Sequence, residues 1–155
     1  MAAQTESEVI INAPLGLVWD MTNDLESWPT LYTEYAKVEI LEREGDTIRF
    51  RLHTHPDNGG TVWSWVSERT PDPRTRTVRA RRIETGPFLE KMDMFWEYTQ
   101  TPEGVRMRCA QEIELRPDIG IDDAGAIAFL NHQTRTEMAH IKDVIEATWA
   151  AVQAT

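Results

Sequence analysis

Trp63, Trp65, Ser67 and Arg69 stand at every second position of the segment Thr61-Val62-Trp63-Ser64-Trp65-Val66-Ser67-Glu68-Arg69. A β-strand sends alternate side chains to opposite faces, so these four share one face and Val62, Ser64, Val66 and Glu68 the other. A plain core has no use for a guanidinium, and a plain surface has none for two indoles. A ligand cavity needs both, apolar walls with a few aimed polar groups. An arginine in such a wall is a permanent donor able to hold a developing oxyanion, and a neighbouring hydroxyl can fix the register of a bound chain.

Other alternating segments add to this face. Phe50 and Leu52 alternate with Arg49, Arg51 and His53, and Val78, Ala80, Arg82 and Glu84 alternate with Arg79 and Arg81. Met92, Met94, Trp96 and Tyr98 form a further row, and Met107, Cys109 and Gln111 another. Trp28, Tyr32 and Tyr35 come from a helical stretch and its exit. Arg82 has two readings, a cavity group or a structural partner of Glu84 or Gln111. His53 and His55 have a metal-ligand spacing, but they face away from Phe50 and Leu52 and no third ligand follows, so no metal site is expected. Cys109 reads as core rather than nucleophile. The outward arginines 49, 51, 79, 81, 106 and 108 are expected to pair across strands with Glu39, Glu97, Glu112 and Glu114. A docking face for an acidic partner is the alternative.

The elements that must position these residues follow from periodicity. Glu8 to Asn12 is a short strand, and Pro14 opens a helix over Leu15–Met21. Asp24 is expected to cap a second short helix containing Leu25, Trp28, Leu31 and Tyr32. Strands follow at 35–41, 47–54, 61–69 (closed by Pro71-Asp72-Pro73), 75–85, 92–98 and 105–115, with turn signals at Gly45, Gly59-Gly60, Gly86-Pro87 and Gly104. Pro117 to Gly120 interrupts the pattern. Asp122 or Asp123 then caps a helix to about Val152, with Ile127, Leu130, Thr134, Met138, Ile141, Val144 or Ile145, and Thr148 on its apolar stripe. Glu137 is placed off that stripe. At about 40 Å this helix can cross a whole sheet. The expected fold is α+β: a curved antiparallel sheet of about seven strands wrapped around the C-terminal helix, two short helices after strand 1, and an interior cavity, the helix-grip architecture.

A chain of 155 residues is expected to form a single domain over 1–155, large enough to bury roughly two-thirds of its unfolded surface. Its net charge of −10 argues against nucleic acid and anionic membrane as partners. One cysteine permits no internal disulfide, which suits the cytoplasm, and neither a signal peptide nor a membrane span is legible.

The chain resembles the single-domain aromatase/cyclases of bacterial type II (aromatic) polyketide synthases, close to the tetracenomycin and spore-pigment cyclases within the START-like superfamily. The resemblance runs through Asn12-Ala13-Pro14, Leu17 to Asp24, Trp28-Pro29 and Glu34-Tyr35-Ala36. It continues in Val62 to Arg69, Arg76 to Ala80, Arg82 to Phe88, Leu130-Asn131, Thr134-Arg135 and Ile141-Lys142. It implies a linear poly-β-ketone tethered to a phosphopantetheinyl acyl carrier protein as substrate, with the ketosynthase/chain-length factor as a further partner. It implies first-ring aldol closure (C9 onto C14) and dehydration to an aromatic ring, with a second ring as an option and no cofactor. The family's catalytic arginine falls on Arg69, and its tyrosine and serine on Tyr35 and Ser67. Substrate binding is expected from Trp28, Tyr32, Trp63, Trp65, Arg82, Met94, Trp96, Gln111, Asn131 and Met138. An asparagine on the last helix of a relative is replaced by Glu137. Two rival readings use the same residues: a non-catalytic helix-grip carrier or chaperone for an aromatic or polyketide ligand, and an interaction module without a deep pocket.

Overall fold

The structure is a computed structural model that describes residues 2–117 and 119–155, so Asp118, within the expected break at Pro117–Gly120, lies outside the described residues. Seven strands form one antiparallel sheet: β1 (Ala2–Ile11), β2 (Tyr35–Glu44), β3 (Thr47–Thr54), β4 (Ser64–Asp72), β5 (Thr77–Glu84), β6 (Leu89–Thr101) and β7 (Gly104–Leu115). Their spatial order is β1-β7-β6-β5-β4-β3-β2, so a meander from β2 to β7 is closed by β1 at its far edge. Between β1 and β2 lie α1 (Leu15–Asn23), a 3-10 turn (Leu25–Ser27) and α2 (Trp28–Leu31). The last helix, α3 (Asp123–Gln153), covers the concave face. Its 31 residues span about 46 Å. The expected helix-grip fold is the one observed.

Four local expectations change. β1 begins at Ala2, six residues before the expected start at Glu8, and its inward positions Thr5 and Ser7 are polar yet buried. Thr5 donates to Gln111 Oε1 at 2.9 Å, and that bond replaces the missing hydrophobic signal. Asp24 makes no side-chain cap; its carbonyl instead accepts from the Ser27 backbone and hydroxyl, and Pro29 keeps α2 to one turn. β4 starts at Ser64, not Thr61, and runs through Pro71. Pro71 is tolerated because β3 pairs with β4 only as far as Arg69, which leaves Pro71 on an open edge. Finally, a register shift between Val66 and Ser67 in the β4–β5 ladder sets Val66 opposite Glu84 and Ser67 opposite Arg82. That bulge turns Glu84 outward to Arg51 at 2.7 Å, so Glu84 is neither a cavity residue nor the partner of Arg82.

On the convex face, among the described residues, four of the six arginines, Arg49, Arg51, Arg81 and Arg108, pair with carboxylates, but of the expected partners only Glu97 takes an arginine, Arg108. Arg49 and Arg81 share Glu68 (2.9 and 3.2 Å), and Arg108 joins Glu97 (2.6 Å) and Glu6 (2.5 Å). Arg79 lies over the Phe95 ring at 4.8 Å. Glu39 faces His53, and Glu112 takes Lys91 instead of an arginine. Such exposed pairs contribute at most about 1 kcal/mol each.

The concave face carries the core. Phe50, Met107, Ile113, Met138, Ile141 and Ile145 are among its fully buried side chains. α3 is capped by Asp122, whose Oδ1 accepts from Gly125 N at 2.7 Å. Its later turns are tied to the end of β1, where Lys142 donates to Ile10 O and Glu146 accepts from Asn12 N, at 2.9 and 2.8 Å. Among the described residues no helix is long and apolar enough to cross a membrane.

The β6–β7 hairpin abuts β1 at Gly104, which has φ +145° and whose absent Cβ would stand 2.4 Å from the Ile11 carbonyl oxygen. Gly104→Ala should therefore destabilise the protein by about 1–3 kcal/mol, read as a lower urea midpoint at unchanged slope. A midpoint equal to the parent's would show that β1 can yield there without loss.

Candidate active site

Arg69 is 3 % exposed and points from β4 to the end of α1. Its Nε and Nη2 donate to Asn23 Oδ1 at 3.2 and 3.0 Å, and Nη2 also to the Thr22 carbonyl at 3.3 Å. Asn23 is aimed by its own Nδ2, which donates to Trp19 O at 2.9 Å. Thr22 is held by its bond to Val18 O and by the Tyr98 hydroxyl, which donates to Thr22 Oγ1 at 2.7 Å. Thus the acceptors around the buried cation are a helix-terminal carbonyl and a neutral amide. The last carbonyls of a helix carry partial negative charge, which favours a cation without neutralising it as a carboxylate would. Trp28 completes the seat: Arg69 Cζ lies 5.2 Å from its ring centre, and its indole N–H is bonded to Thr22 O at 3.1 Å. Asn23, which the sequence pattern places beyond the first helix at Met21, is the side chain that seats Arg69, a contact the pattern does not reveal.

This seat borders a cavity of about 210 Å³ between the sheet and α3. Of the expected site residues, Arg69, Tyr35, Ser67, Trp28, Tyr32, Trp65, Arg82, Met94, Trp96, Gln111 and Met138 line it together. Trp28, Tyr32 and Tyr35 form one aromatic cluster, with Tyr35 stacked on Trp28 at 5.9 Å and edge-on to Trp65 at 6.1 Å. Tyr98, Met107 and Cys109 are core under the floor. Burial pushes the Cys109 thiol up to about 12, consistent with a packing role.

Two expected binders stand elsewhere. Trp63 precedes β4, donates its indole N–H to Asp57 Oδ2 at 3.0 Å and packs on Phe88 at 5.6 Å. Asn131 faces β1 and accepts from Ser7 at 3.5 Å, because α3 rotates its neighbours Gln133 and Thr134 inward instead. Trp63 lines a second, apolar chamber of about 500 Å³ with Pro87, Phe88, Leu89, Leu115, Ile121 and Phe129. Glu34, Trp65, Arg82, Phe129 and Leu130 border both chambers and form the neck between them. Together the chambers fall in the roughly 300–1,000 Å³ range of small-molecule sites.

Two carboxylates in the lining were missed. Glu137, whose spacing places it off the apolar stripe of α3, is 5 % exposed and accepts from Thr33. Glu34 sits at the neck and accepts from Gln133 Nε2 at 3.1 Å. Neither breaks a pattern visible in sequence. The polar groups at the neck and floor sort into two stations. Arg69 acts on Tyr32 and Tyr98, whereas Arg82 acts on Tyr35 and Glu34. Arg82 neither salt-bridges Glu84 nor reaches Gln111; it lies 4.0 Å over the Trp65 ring and donates to Thr85 O at 3.3 Å. Burial lifts the phenols of Tyr32 and Tyr35 well above the ordinary range, so both remain O–H donors. Among the described residues no cluster of His, Cys, Asp or Glu could hold a metal ion.

Burial, outweighing the Gln133 bond, raises the Glu34 carboxyl above its ordinary value of 4.5. The unfolded chain gives up this proton first, so stability falls as pH rises from the unfolded value through the folded one. Glu34→Gln has no proton to release, so its stability relative to the parent should increase between about pH 4 and pH 7, measured as urea midpoints. A difference that stays flat over that range would show that Glu34 ionises as readily folded as unfolded.

Known proteins agree with this architecture. The family model described as polyketide cyclase/dehydrase and lipid transport matches residues 11–140. A Streptomyces cyaneus protein named as a polyketide cyclase is 55 % identical over 146 residues, covering 94 % of this chain and 95 % of the relative. The actinorhodin polyketide synthase bifunctional cyclase/dehydratase of Streptomyces coelicolor is 31 % identical over 115 residues, 74 % of this chain and 34 % of that one. The solved Zhui aromatase/cyclase of Streptomyces sp. R1128 superposes with a TM-score of 0.80 at 23 % identity, covering 94 % of each chain. With its START-like helix-grip fold, its matched length and these relatives, the chain belongs to the polyketide cyclase/dehydrase and lipid transport family.

Proposed function

We propose that this chain, acting as a single cytoplasmic domain, folds a linear poly-β-ketone carried on a phosphopantetheinyl acyl carrier protein and closes its first ring, C9 onto C14. Dehydration then gives the aromatic ring, and a second closure can follow in the same cavity. The observation that supports this most is Arg69: a buried cation, seated on neutral acceptors at a helix end, facing an enclosed aromatic cavity. A carrier needs only shape. A guanidinium left without a carboxylate is costly to bury and suits a site where negative charge develops during reaction.

The chain would enter through the apolar chamber and pass the neck, with its reactive part in the inner cavity. A methylene between two carbonyls is acidic, so a modest base suffices once the enolate oxygen is held. Glu34 is the better base in the lining, because its carboxyl is raised by burial, whereas Thr33 occupies both oxygens of Glu137. Arg69 holds the enolate oxygen. Tyr35, held as a phenol, gives a proton to the new alkoxide directly or through water, and Ser67 donates to a neighbouring carbonyl. The indoles of Trp28, Trp65 and Trp96 limit the folds open to the ketide, so that one carbon pair meets. The ketosynthase/chain-length factor is the partner that would hand over the carrier-bound chain.

Adding this protein to a minimal polyketide synthase that makes a ketide of known length should redirect product from spontaneous shunts to one cyclised aromatic. Arg69→Ala should lower that directed product by about a hundredfold while quenching of tryptophan fluorescence by 1-naphthol persists. A normal product profile from this variant would remove the catalytic role and favour the carrier.

A further inference from the structure

The wall of the inner cavity contains one irregular stretch, Tyr32-Thr33-Glu34, between α2 and β2. It carries Tyr32 and leads directly into Tyr35. Their rings pack on Trp28 at 4.8 and 5.9 Å, but ring packing has little directionality and does not by itself fix where a hydroxyl points. Directional contacts come from across the cavity. Glu137 on α3 takes the Thr33 N–H on Oε2 at 3.0 Å and on Oε1 at 3.3 Å, and the Thr33 hydroxyl also donates to Oε1. One turn earlier, Gln133 donates to Glu34 Oε2 at 3.1 Å.

A buried carboxylate without a cation is costly and is kept only where hydrogen bonds satisfy it. Here the donors come from one loop residue, and the helix otherwise buries Ala126, Met138, Ile141 and Ile145. A helix that only had to pack would carry an apolar side chain at position 137. We propose that Glu137, assisted by Gln133, is a positioning residue: it latches the Tyr32–Glu34 loop onto α3 and so sets where the phenols of Tyr32 and Tyr35 stand relative to Arg69 and Arg82. Because Thr33 engages both its oxygens, Glu137 holds the loop rather than exchanging protons with the ketide. This inference rests on the cyclase reading above.

The test uses the same reconstituted synthase with the parent, Glu137→Ala, Glu137→Gln, Thr33→Val, the Glu137→Ala/Thr33→Val double variant and Arg69→Ala. Glu137→Ala should lower the ratio of directed to shunt product by about ten- to a hundredfold. It should also alter the near-ultraviolet circular dichroism of the Trp28–Tyr cluster while 1-naphthol still binds. Glu137→Gln, which keeps an acceptor, should recover most of the ratio. Thr33→Val should lose part of it, and the double variant should be no worse than Glu137→Ala. A parent-like ratio in Glu137→Ala, or additive losses in the double variant, with Arg69→Ala still inactive, overturns the latch and leaves the cyclase reading intact. A parent-like ratio in Arg69→Ala overturns the reading itself. Should Glu137→Ala fail to fold, Thr33→Val decides at an exposed position: an unchanged ratio and spectrum there overturn the latch.

Discussion

The seat of Arg69 is the contact on which the rest of the structure depends. A guanidinium in a protein interior is normally matched by a carboxylate, which satisfies it and cancels its charge. Here the acceptors are the Thr22 carbonyl and the Asn23 amide at the end of α1. The helix end supplies partial negative charge without an anion, so the cation is stable in place and its field still reaches the cavity. α1 must therefore end at Asn23, and the chain must turn there. Trp19, Tyr98 and Trp28 are all held to this corner through Thr22 or Asn23.

The polar groups of the cavity follow from this choice. With Arg69 reserved at the floor, the second cation, Arg82, stands at the neck beside Tyr35 and Glu34. Two cation–phenol stations are thus spaced along the path from the outer chamber inward. The outer chamber is apolar and suits a part of the ligand that needs no oxyanion contact. The inner one is aromatic but studded with donors.

Alternation along each strand, the turn residues and one long amphipathic helix were enough to derive the helix-grip fold, and the same alternation put Trp65, Ser67, Arg69, Trp96 and Gln111 on the cavity face. Those properties are local: a strand's faces alternate whatever it pairs with, and a helix's stripe is a matter of spacing. The errors share a different cause. Glu84 left the cavity because of a bulge, which one extra residue in a ladder creates and no single strand displays. Trp63 and Asn131 moved away because the start of β4 and the rotation of α3 are settled by neighbours. Thr5 and Ser7 hid a buried strand because the partners that satisfy them, Gln111 and Asn131, are more than 100 residues distant in the chain.

The site divides along the same line. Sequence by itself determined which chemistry was available: a cation, phenols, a hydroxyl and indoles, on elements that must face a common helix. Tertiary structure alone decided how that chemistry is tuned. That Arg69 rests on neutral acceptors, that Tyr35 answers to Arg82 while Tyr32 answers to Arg69, and that Glu137 turns inward to grip Thr33 all depend on groups brought together through space. Hydrogen bonding and burial act over a few ångströms of space, and distance along the chain does not record them.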